Sequence, residues 1–223
     1  MAFSNCASLK SFTVPLKTTS IDSTSFSGCA VLKEFKVDSG NNAYSAVNGV
    51  LYSKDGKTLV FCPSGLDSVE ILNTVTVIGK RAFYGNSYIS SVIIPSSVTK
   101  IEDSAFYLCS NIASITIPAS VIEIGSYAFP TGKSYNVYTT SGSYAEQYFS
   151  SYSNVHVSND MSQNTRTVGD VNNDGSVNKK DIAKMLKHIT GYSVLSDTDQ
   201  NYADYYRSGT VDLMDSMELA KSI

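Results

Sequence analysis

Apolar residues recur along the first part of the chain in columns that are 23 residues apart. The steps between successive members of the clearest column are 23, 57, 23 and 23 residues, so one interval holds two periods and eleven extra residues. This column is a Phe preceded by Ala or Ser: Phe3, Phe26, Phe83, Phe106 and Phe129. Cys stands three residues after most of these Phe residues, Ile five before and Pro twelve after. Several columns that share one period indicate a repeat architecture.

Each repeat contains a run of β-branched residues that predicts a strand. The clear runs are residues 91–95 and 114–118, each closed by Pro, and residues 68–72 are a looser copy. The segment Ala-Phe-x-x-Cys-x-x-Leu has the spacing of one helical turn. One strand and one turn cannot bury an apolar face alone, but stacked repeats form a parallel sheet with strands about 4.8 Å apart. The pattern therefore predicts a solenoid.

Two further segments modify the predicted solenoid. Residues 47–61 predict an inserted hairpin, because two apolar runs flank Asp55-Gly56, which favours a two-residue turn. After Phe129 the repeat decays through a short helical stretch around residues 141–148. We interpret residues 130–157 as a cap, since a solenoid needs an atypical terminal unit over its last open edge.

These columns resemble the BspA-type leucine-rich repeats of bacterial surface proteins. The Asn-Gly-Val-Leu-Tyr-Ser-Lys-Asp-Gly hairpin and the Tyr-Ala-Glu-Gln-Tyr segment of the cap belong to the same resemblance, which covers roughly residues 2–157. It implies a leucine-rich-repeat domain over residues 1–157 that acts as a binding or adhesion module.

The four cysteines follow from this architecture. Cys6, Cys29 and Cys109 share one column, so we expect buried free thiols that pack as small hydrophobes. Cys6 and Cys29 would lie on adjacent repeats, which leaves a disulfide between them as the alternative. Cys62 lies outside the column, and the chain has no Cys-x-x-Cys pair to support a zinc site.

A polar stretch, residues 158–168, predicts a linker, and a calcium-loop pattern follows it. Oxygen-bearing side chains occupy loop positions 1, 3, 5, 9 and 12, with Gly at position 6, as hard Ca²⁺ requires. The predicted ligands of this first site are Asp170, Asn172, Asp174, Ser176 (through its carbonyl), Asn178 and Asp181. Residues 179–190 then predict a helix with an apolar stripe of Ile182, Met185, Leu186 and Ile189, ended by Gly191.

A second, weaker calcium loop begins at Asp204. Tyr206 stands at position 3, where it cannot ligate, and Ser208 is a weak ligand at position 5. The predicted ligands of the second site are Asp204, Ser208, Thr210, Asp212 and Asp215. We therefore expect one strong Ca²⁺ site, and the occupancy of the second is left open.

Two Asp-ended calcium loops, each followed by a helix, resemble a type I-like dockerin over residues 169–223. The resemblance implies a small all-α, calcium-binding domain whose partner is a cohesin module on the scaffoldin of a cellulosome-type assembly. The family's cohesin-contacting positions fall here on Lys179, Lys180, Leu186, Lys187, Leu213, Met214, Ala220 and Lys221. The predicted fold class is thus α+β, a repeat solenoid followed by a helical module.

Composition and the placement of carboxylates argue against three classes of function: nucleic-acid binding, membrane insertion and glycoside hydrolysis. A net charge of −3 lacks the basic footprint of a nucleic-acid binder, and no apolar run is long enough for a membrane helix. Glycoside hydrolysis needs two convergent carboxylates. The carboxylates of the solenoid, Glu70, Glu102, Asp103 and Glu123, lie on different columns apart from Glu102 and Asp103. We expect no enzyme within this chain.

Our leading hypothesis is a secreted, non-catalytic component of a polysaccharide-degrading assembly, with the repeats as a recognition surface. One alternative is a pair of modules appended to a larger hydrolase, since Phe3 lies inside a repeat and the chain reads as a fragment without its signal peptide. Another is a carbohydrate-binding module, although the chain has no Trp for a flat platform. Tyr84, Tyr107 and Tyr127 could line one face or merely cover the turns. Such a Ser/Tyr-rich face favours protein recognition over sugar binding.

Overall fold

The computed structural model describes residues 3–159, 179–190 and 220. The chain divides into two compact units, Met1–Met161 and Ser162–Ile223. The exact domain boundaries expected from the sequence stay a prediction.

The strands of the first unit are β1 (Ser11–Val14), β2 (Glu34–Val37), β3 (Tyr44–Val47), β4 (Val50–Ser53), β5 (Thr58–Phe61), β6 (Val77–Ile78), β7 (Ser91–Ile93), β8 (Lys100–Ile101), β9 (Ser114–Ile117), β10 (Glu123–Ile124), β11 (Tyr135–Thr139) and β12 (Val155–Ser158). The helices are α1 (Tyr144–Phe149) in the first unit and α2 (Lys179–Ile189) in the second.

The first unit is a solenoid of stacked coils, as the repeat predicts. Equivalent strands of successive coils pair in parallel, in the order β7, β9, β11, β12 on one side. The register places equivalent repeat positions side by side, with Ser91 opposite Ser114. The predicted parallel sheet is therefore confirmed.

The Phe column forms the centre of the core. The ring of Phe106 stacks between those of Phe83 and Phe129, with centroid distances of 4.6 and 5.5 Å. Phe3 and Phe26 stack in the same way at 5.3 Å. Because Phe26, Phe83, Phe106 and Phe129 are fully buried, the core continues from coil to coil within each of two clusters, one on either side of the insertion.

The segment that follows each strand pair is a series of turns, so the expectation of a helical turn is wrong. Cys109 donates its N–H to the carbonyl of Phe106, three residues earlier, but Ser104 and Leu108 have positive φ values of 56° and 61°. Left-handed residues interrupt a right-handed helix. The N–H of Phe106 instead donates to the carbonyl of Ala128 on the next coil at 2.6 Å.

Each regular coil also contributes a second, two-residue strand that the sequence analysis did not predict. β6, β8 and β10 pair in parallel and form a second sheet together with β5. Conversely, residues 68–72 form no strand, contrary to the prediction. The insertion separates their coil from β2, so β2 and β7 each end a sheet and the intervening segment lacks a strand partner.

The insertion is a three-stranded antiparallel meander, β3–β4–β5, where a single hairpin was predicted. Its tight turn is Asn48-Gly49, with φ values of 50° and 80°, the geometry that a two-residue hairpin turn demands. Asp55-Gly56 does connect two strands, but through the longer loop of residues 54–57. The side chains of β4 alternate between two core clusters: Val50 and Tyr52 face the cluster around Phe106, and Leu51 faces the cluster around Phe26. β5 also contributes to both clusters, Leu59 to the first and Phe61 to the second.

The cap contains the predicted short helix together with two strands. Ser143 caps α1 by accepting a hydrogen bond from the N–H of Glu146, a usual role for serine at a helix start. Phe149 of α1 packs on Phe129 at 4.9 Å and so covers the last coil of the Phe column. β12 forms the final edge of the sheet.

All four cysteines are free thiols in this structure, Cys6 and Cys29 included. Cys29 and Cys109 are buried as expected, and so is Cys62, whereas Cys6 on the first coil is only half-buried. Burial disfavours the thiolate, so the pKa of Cys29 is raised, that of Cys109 is raised to about 12, and that of Cys62 is raised well above its ordinary value.

Candidate interaction surfaces

The helix α2 confirms the helix predicted after the first calcium loop. Its buried side carries Asp181 and Met185, both fully buried, with Ile182 and Ile189 half-buried beside them. Leu186 is 39% exposed, so its assignment to the buried stripe is wrong. Its exposure is nevertheless what a partner-contacting residue requires.

The candidate cohesin contacts on α2 are all exposed: Lys179, Lys180, Leu186 and Lys187. Positions three, four, seven and eight residues apart share a helix face. Lys179 therefore lies on the same face as Leu186 and Lys187. Ala220, in the second copy, is also exposed, whereas Leu213, Met214 and Lys221 lie outside the described residues.

Asp181 is the one predicted Ca²⁺ ligand that the structure describes, and it lies in the first turn of α2. The other predicted ligands fall outside the described ranges: Asp170, Asn172, Asp174, Ser176 and Asn178 of the first loop, and Asp204, Ser208, Thr210, Asp212 and Asp215 of the second. Asp181 is fully buried, as suits the position-12 carboxylate that closes the ligand shell of a calcium loop.

Tyrosines form a row across three successive coils of the solenoid. The ring centroids of Tyr84 and Tyr107 are 6.0 Å apart, and those of Tyr107 and Tyr127 are 6.2 Å apart. The ring planes are inclined by 36° and 73°, so the row is not a flat platform. Arg81 was not predicted as part of this surface, but its guanidinium carbon lies 5.5 Å from the centre of the Tyr84 ring.

The longer parallel sheet presents a polar surface with little charge. Its paired rows are Ser91, Ser114, Asn136 and His156, and then Ile93, Thr116, Tyr138 and Ser158. Small hydroxyl and amide side chains with one tyrosine provide adaptable hydrogen bonding. This surface and the tyrosine row are candidate recognition faces of the described solenoid.

Three of the four solenoid carboxylates considered in the sequence analysis, Glu102, Asp103 and Glu123, form ion pairs with lysines. Glu123 lies 2.9 Å from Lys100, and Asp103 lies 3.8 Å from Lys80. The hydrogen bond and charge of Glu123 raise the pKa of Lys100. Glu102 also accepts a hydrogen bond from the N–H of Lys80. These groups form an exposed ion-pair network rather than a pair of carboxylates that converge on a cleft.

The chain belongs to the BspA-type leucine-rich repeat family. The model of the BspA type leucine rich repeat region matches it in six copies over residues 1–48 and 57–172. The chain also carries a dockerin type I domain, whose model matches residues 168–223. Both recognised domains are of non-catalytic, protein-interaction kinds. No curated protein matches the chain significantly.

A solved structure of a leucine-rich repeat protein supports the fold. A leucine-rich repeat protein from Eubacterium ventriosum shares 29% identity with a TM-score of 0.52, over 59% of this chain and 37% of that one. The pneumococcal vaccine antigen PcpA shares 24% identity with a TM-score of 0.48, over 58% and 39% of the two chains. The chain thus spans well under half the length of these proteins. No helix in the described ranges is long and apolar enough to cross a membrane.

Proposed function

We propose that this chain is a non-catalytic component of a cellulosome-type assembly, in which the dockerin domain binds a scaffoldin cohesin and the repeats recognise a second ligand. The observation that carries the proposal is the sidedness of α2. Asp181 and Met185 are buried on one side, while Lys179, Leu186 and Lys187 remain exposed on the other. A helix that is anchored on one face and carries exposed lysines and a leucine on another is suited to docking.

Binding is proposed to depend on Ca²⁺, held by the first loop and closed by Asp181. The cation neutralises the carboxylates of the loop and fixes the start of α2, because a small domain with few core residues needs a metal to fold. An assembly of this kind acts outside the cell, so the proposal includes a secreted or cell-surface location.

The two halves of the dockerin domain differ at the proposed contact positions, so we expect one binding orientation. Lys179-Lys180 is a doubly charged pair, whereas the equivalent Leu213-Met214 is apolar. Rotating the module would place two ammonium groups against an apolar patch of the partner, and an unpaired buried charge costs several kcal/mol. The wrong orientation should therefore be depopulated by about a hundredfold or more.

The test measures binding of the full chain to a panel of immobilised type I cohesins, with calcium and with a chelator. Binding to at least one cohesin that is lost on chelation supports the proposal, and binding to none contradicts it. Leu213→Ala/Met214→Ala should weaken binding strongly. The exposed solenoid pair Lys54→Ala/Lys57→Ala is the matched control and should leave it unchanged. If the Leu213/Met214 and Lys179/Lys180 double variants each bind normally and only their combination fails, both orientations are in use.

A further inference from the structure

The tyrosine row of the solenoid ends at Arg81, a cation that has no ion pair within the described residues. Its Nε is buried and has no hydrogen bond to any of these residues. The neighbouring Lys80, by contrast, pairs with Asp103 at 3.8 Å. Buried polar atoms in proteins are nearly always hydrogen-bonded, so an unsatisfied guanidinium nitrogen calls for an explanation.

Packing of the coil fixes the direction of the Arg81 side chain. Arg81 has a positive φ of 56°, and the residues two before the Phe in the next two coils, Ser104 and Tyr127, share this conformation at 56° and 54°. The left-handed backbone is therefore a property of the repeat. Within it, the Arg81 guanidinium lies against the Tyr84 ring, where cation–π attraction holds it in place.

The rings repeat in step with the coils. Tyr84 and Tyr107 occupy the same position in successive repeats, and Tyr127 extends the row onto a third coil, where 67% of its side chain is exposed. Aromatic faces with this spacing suit a ligand that is itself a chain of rings and that runs along the solenoid axis. The inclination of the planes suits a chain that twists from one ring to the next.

We propose that Arg81 and the row Tyr84–Tyr107–Tyr127 bind a polysaccharide whose sugars carry carboxylates, such as a polyuronate. The C–H face of a sugar ring packs on a tyrosine ring, and the carboxylate of a uronic acid pairs with the guanidinium of Arg81, whose side chain is only partly buried. Arginine is the side chain best matched to a carboxylate, because its planar fork donates two parallel hydrogen bonds. The proposal rests on the proposed function, since it names the ligand class of the repeats.

The sequence alone favours a protein as the ligand of the repeats. The guanidinium of Arg81, which has no ion pair within the described residues, favours a carboxylate-bearing polysaccharide instead. A protein interface would draw on an apolar centre shielded from water. The row instead combines inclined, partly exposed tyrosines with one cation. The net charge of the chain is −3, so generic attraction to a polyanion would not explain binding of this kind.

The experiment is affinity electrophoresis of the full chain through gels containing polygalacturonate or its fully methyl-esterified form. Esterification removes the charge while keeping the sugar rings. The variants are Arg81→Gln and Tyr127→Ala. Their matched controls are Lys17→Gln, an exposed cation, and Tyr144→Ala, an exposed tyrosine on the cap helix. Tyr127 is largely exposed, so its loss should leave the melting temperature close to that of the wild type.

We expect retardation by polygalacturonate and much weaker retardation by the ester. Arg81→Gln should weaken binding to polygalacturonate by about tenfold, the value of a hydrogen bond to a charged group, without affecting the residual binding to the ester. Tyr127→Ala should weaken binding to both polymers by about fivefold, as loss of one aromatic contact predicts. The two controls should bind like the wild type.

The proposal fails if the chain is not retarded by polygalacturonate, if both polymers bind equally, or if Arg81→Gln and Tyr127→Ala behave like the controls. Calcium cross-links polygalacturonate, so a metal held by the predicted calcium loop could bridge the protein to the polymer. The Asp170→Ala variant tests this, and its normal binding to polygalacturonate would show that no such bridge is needed. A loss of binding in Asp170→Ala would overturn the assignment to Arg81 and the tyrosine row. Cohesin binding of the same samples is measured in parallel, so failure here is distinguishable from failure of the proposed function.

Discussion

The Sγ of Cys109 lies 3.0 Å from the carbonyl oxygen of Phe83, one coil earlier, and donates a hydrogen bond to it. Cys29 donates in the same way to the carbonyl of Phe3 at 3.1 Å. Asn86 fills the equivalent slot between these two cysteines in the repeat series. The column that the sequence marks as small hydrophobes is therefore a row of buried hydrogen-bond donors that joins each coil to the one before it.

Asn86 should tolerate cysteine better than aspartate. Its amide donates to the carbonyls of Pro63 and Leu66, and its oxygen accepts from the N–H groups of Tyr88 and Ile89. Asn86→Asp places a carboxylate against two carbonyls and should cost about 3 kcal/mol or more, whereas Asn86→Cys keeps one donor and should cost less. Urea denaturation measures both, and an Asp variant within about 1 kcal/mol of the wild type would contradict this role.

The buried thiols should make the solenoid less stable in alkali. Because burial raises the pKa of Cys109 to about 12 from its ordinary 9.0, the unfolded chain loses this proton at lower pH than the folded chain does. The stabilisation is complete below pH 9 and is lost as the pH rises towards 12, by up to about 1.4 kcal/mol per pH unit for each such group. Cys109→Ser keeps a donor that does not titrate here, so its stability should fall less steeply in urea titrations across this range. An unchanged slope would show that Cys109 does not contribute.

Phe106→Ala should destabilise the first unit by about 3–5 kcal/mol, the usual cost of truncating a buried aromatic residue. Phe106 is fully buried between the rings of Phe83 and Phe129. Tyr144→Ala, at an exposed position on α1, is the control and should change stability by no more than about 0.5 kcal/mol. Thermal melts report both. A loss under about 1 kcal/mol at Phe106 would mean that its ring is not part of the core.

The sequence predicts the features that recur in every repeat, but it does not predict the two-residue strands or the features that occur in a single coil. The columns of Phe106 and Cys109 predict the stacked core, because a regular period outweighs weak local signals. The two-residue strands such as Lys100–Ile101 are too short to show any alternation, so the second sheet could not be predicted. The role of Arg81 could not be predicted from the repeat, because the equivalent residues Ser104 and Tyr127 share its backbone conformation but carry no positive charge. Both Asn48-Gly49 and Asp55-Gly56 favour a two-residue turn by sequence, and only Asn48-Gly49 forms one.

The second unit should depend on calcium for its helical structure. Chelation should reduce the helical circular dichroism of the full chain to the contribution of α1 while the β signal persists, because the solenoid buries a core of its own. Asp170→Ala should weaken this calcium response far more than Asp204→Ala, since only the first loop has a complete predicted ligand set. Asp160→Ala in the linker is the control. A helical signal that is indifferent to chelation would contradict the metal's role.

The meander β3–β5 divides the solenoid with one face turned to each core cluster. A one-residue shift within β4 would exchange Val50 and Tyr52 with Leu51 and send each to the wrong side, so its length is fixed. The coils on either side carry no such restriction, since each contacts only its neighbours. Whole repeats can therefore be added to or removed from either flank. The number of repeats can vary, whereas the meander between them keeps a constant length.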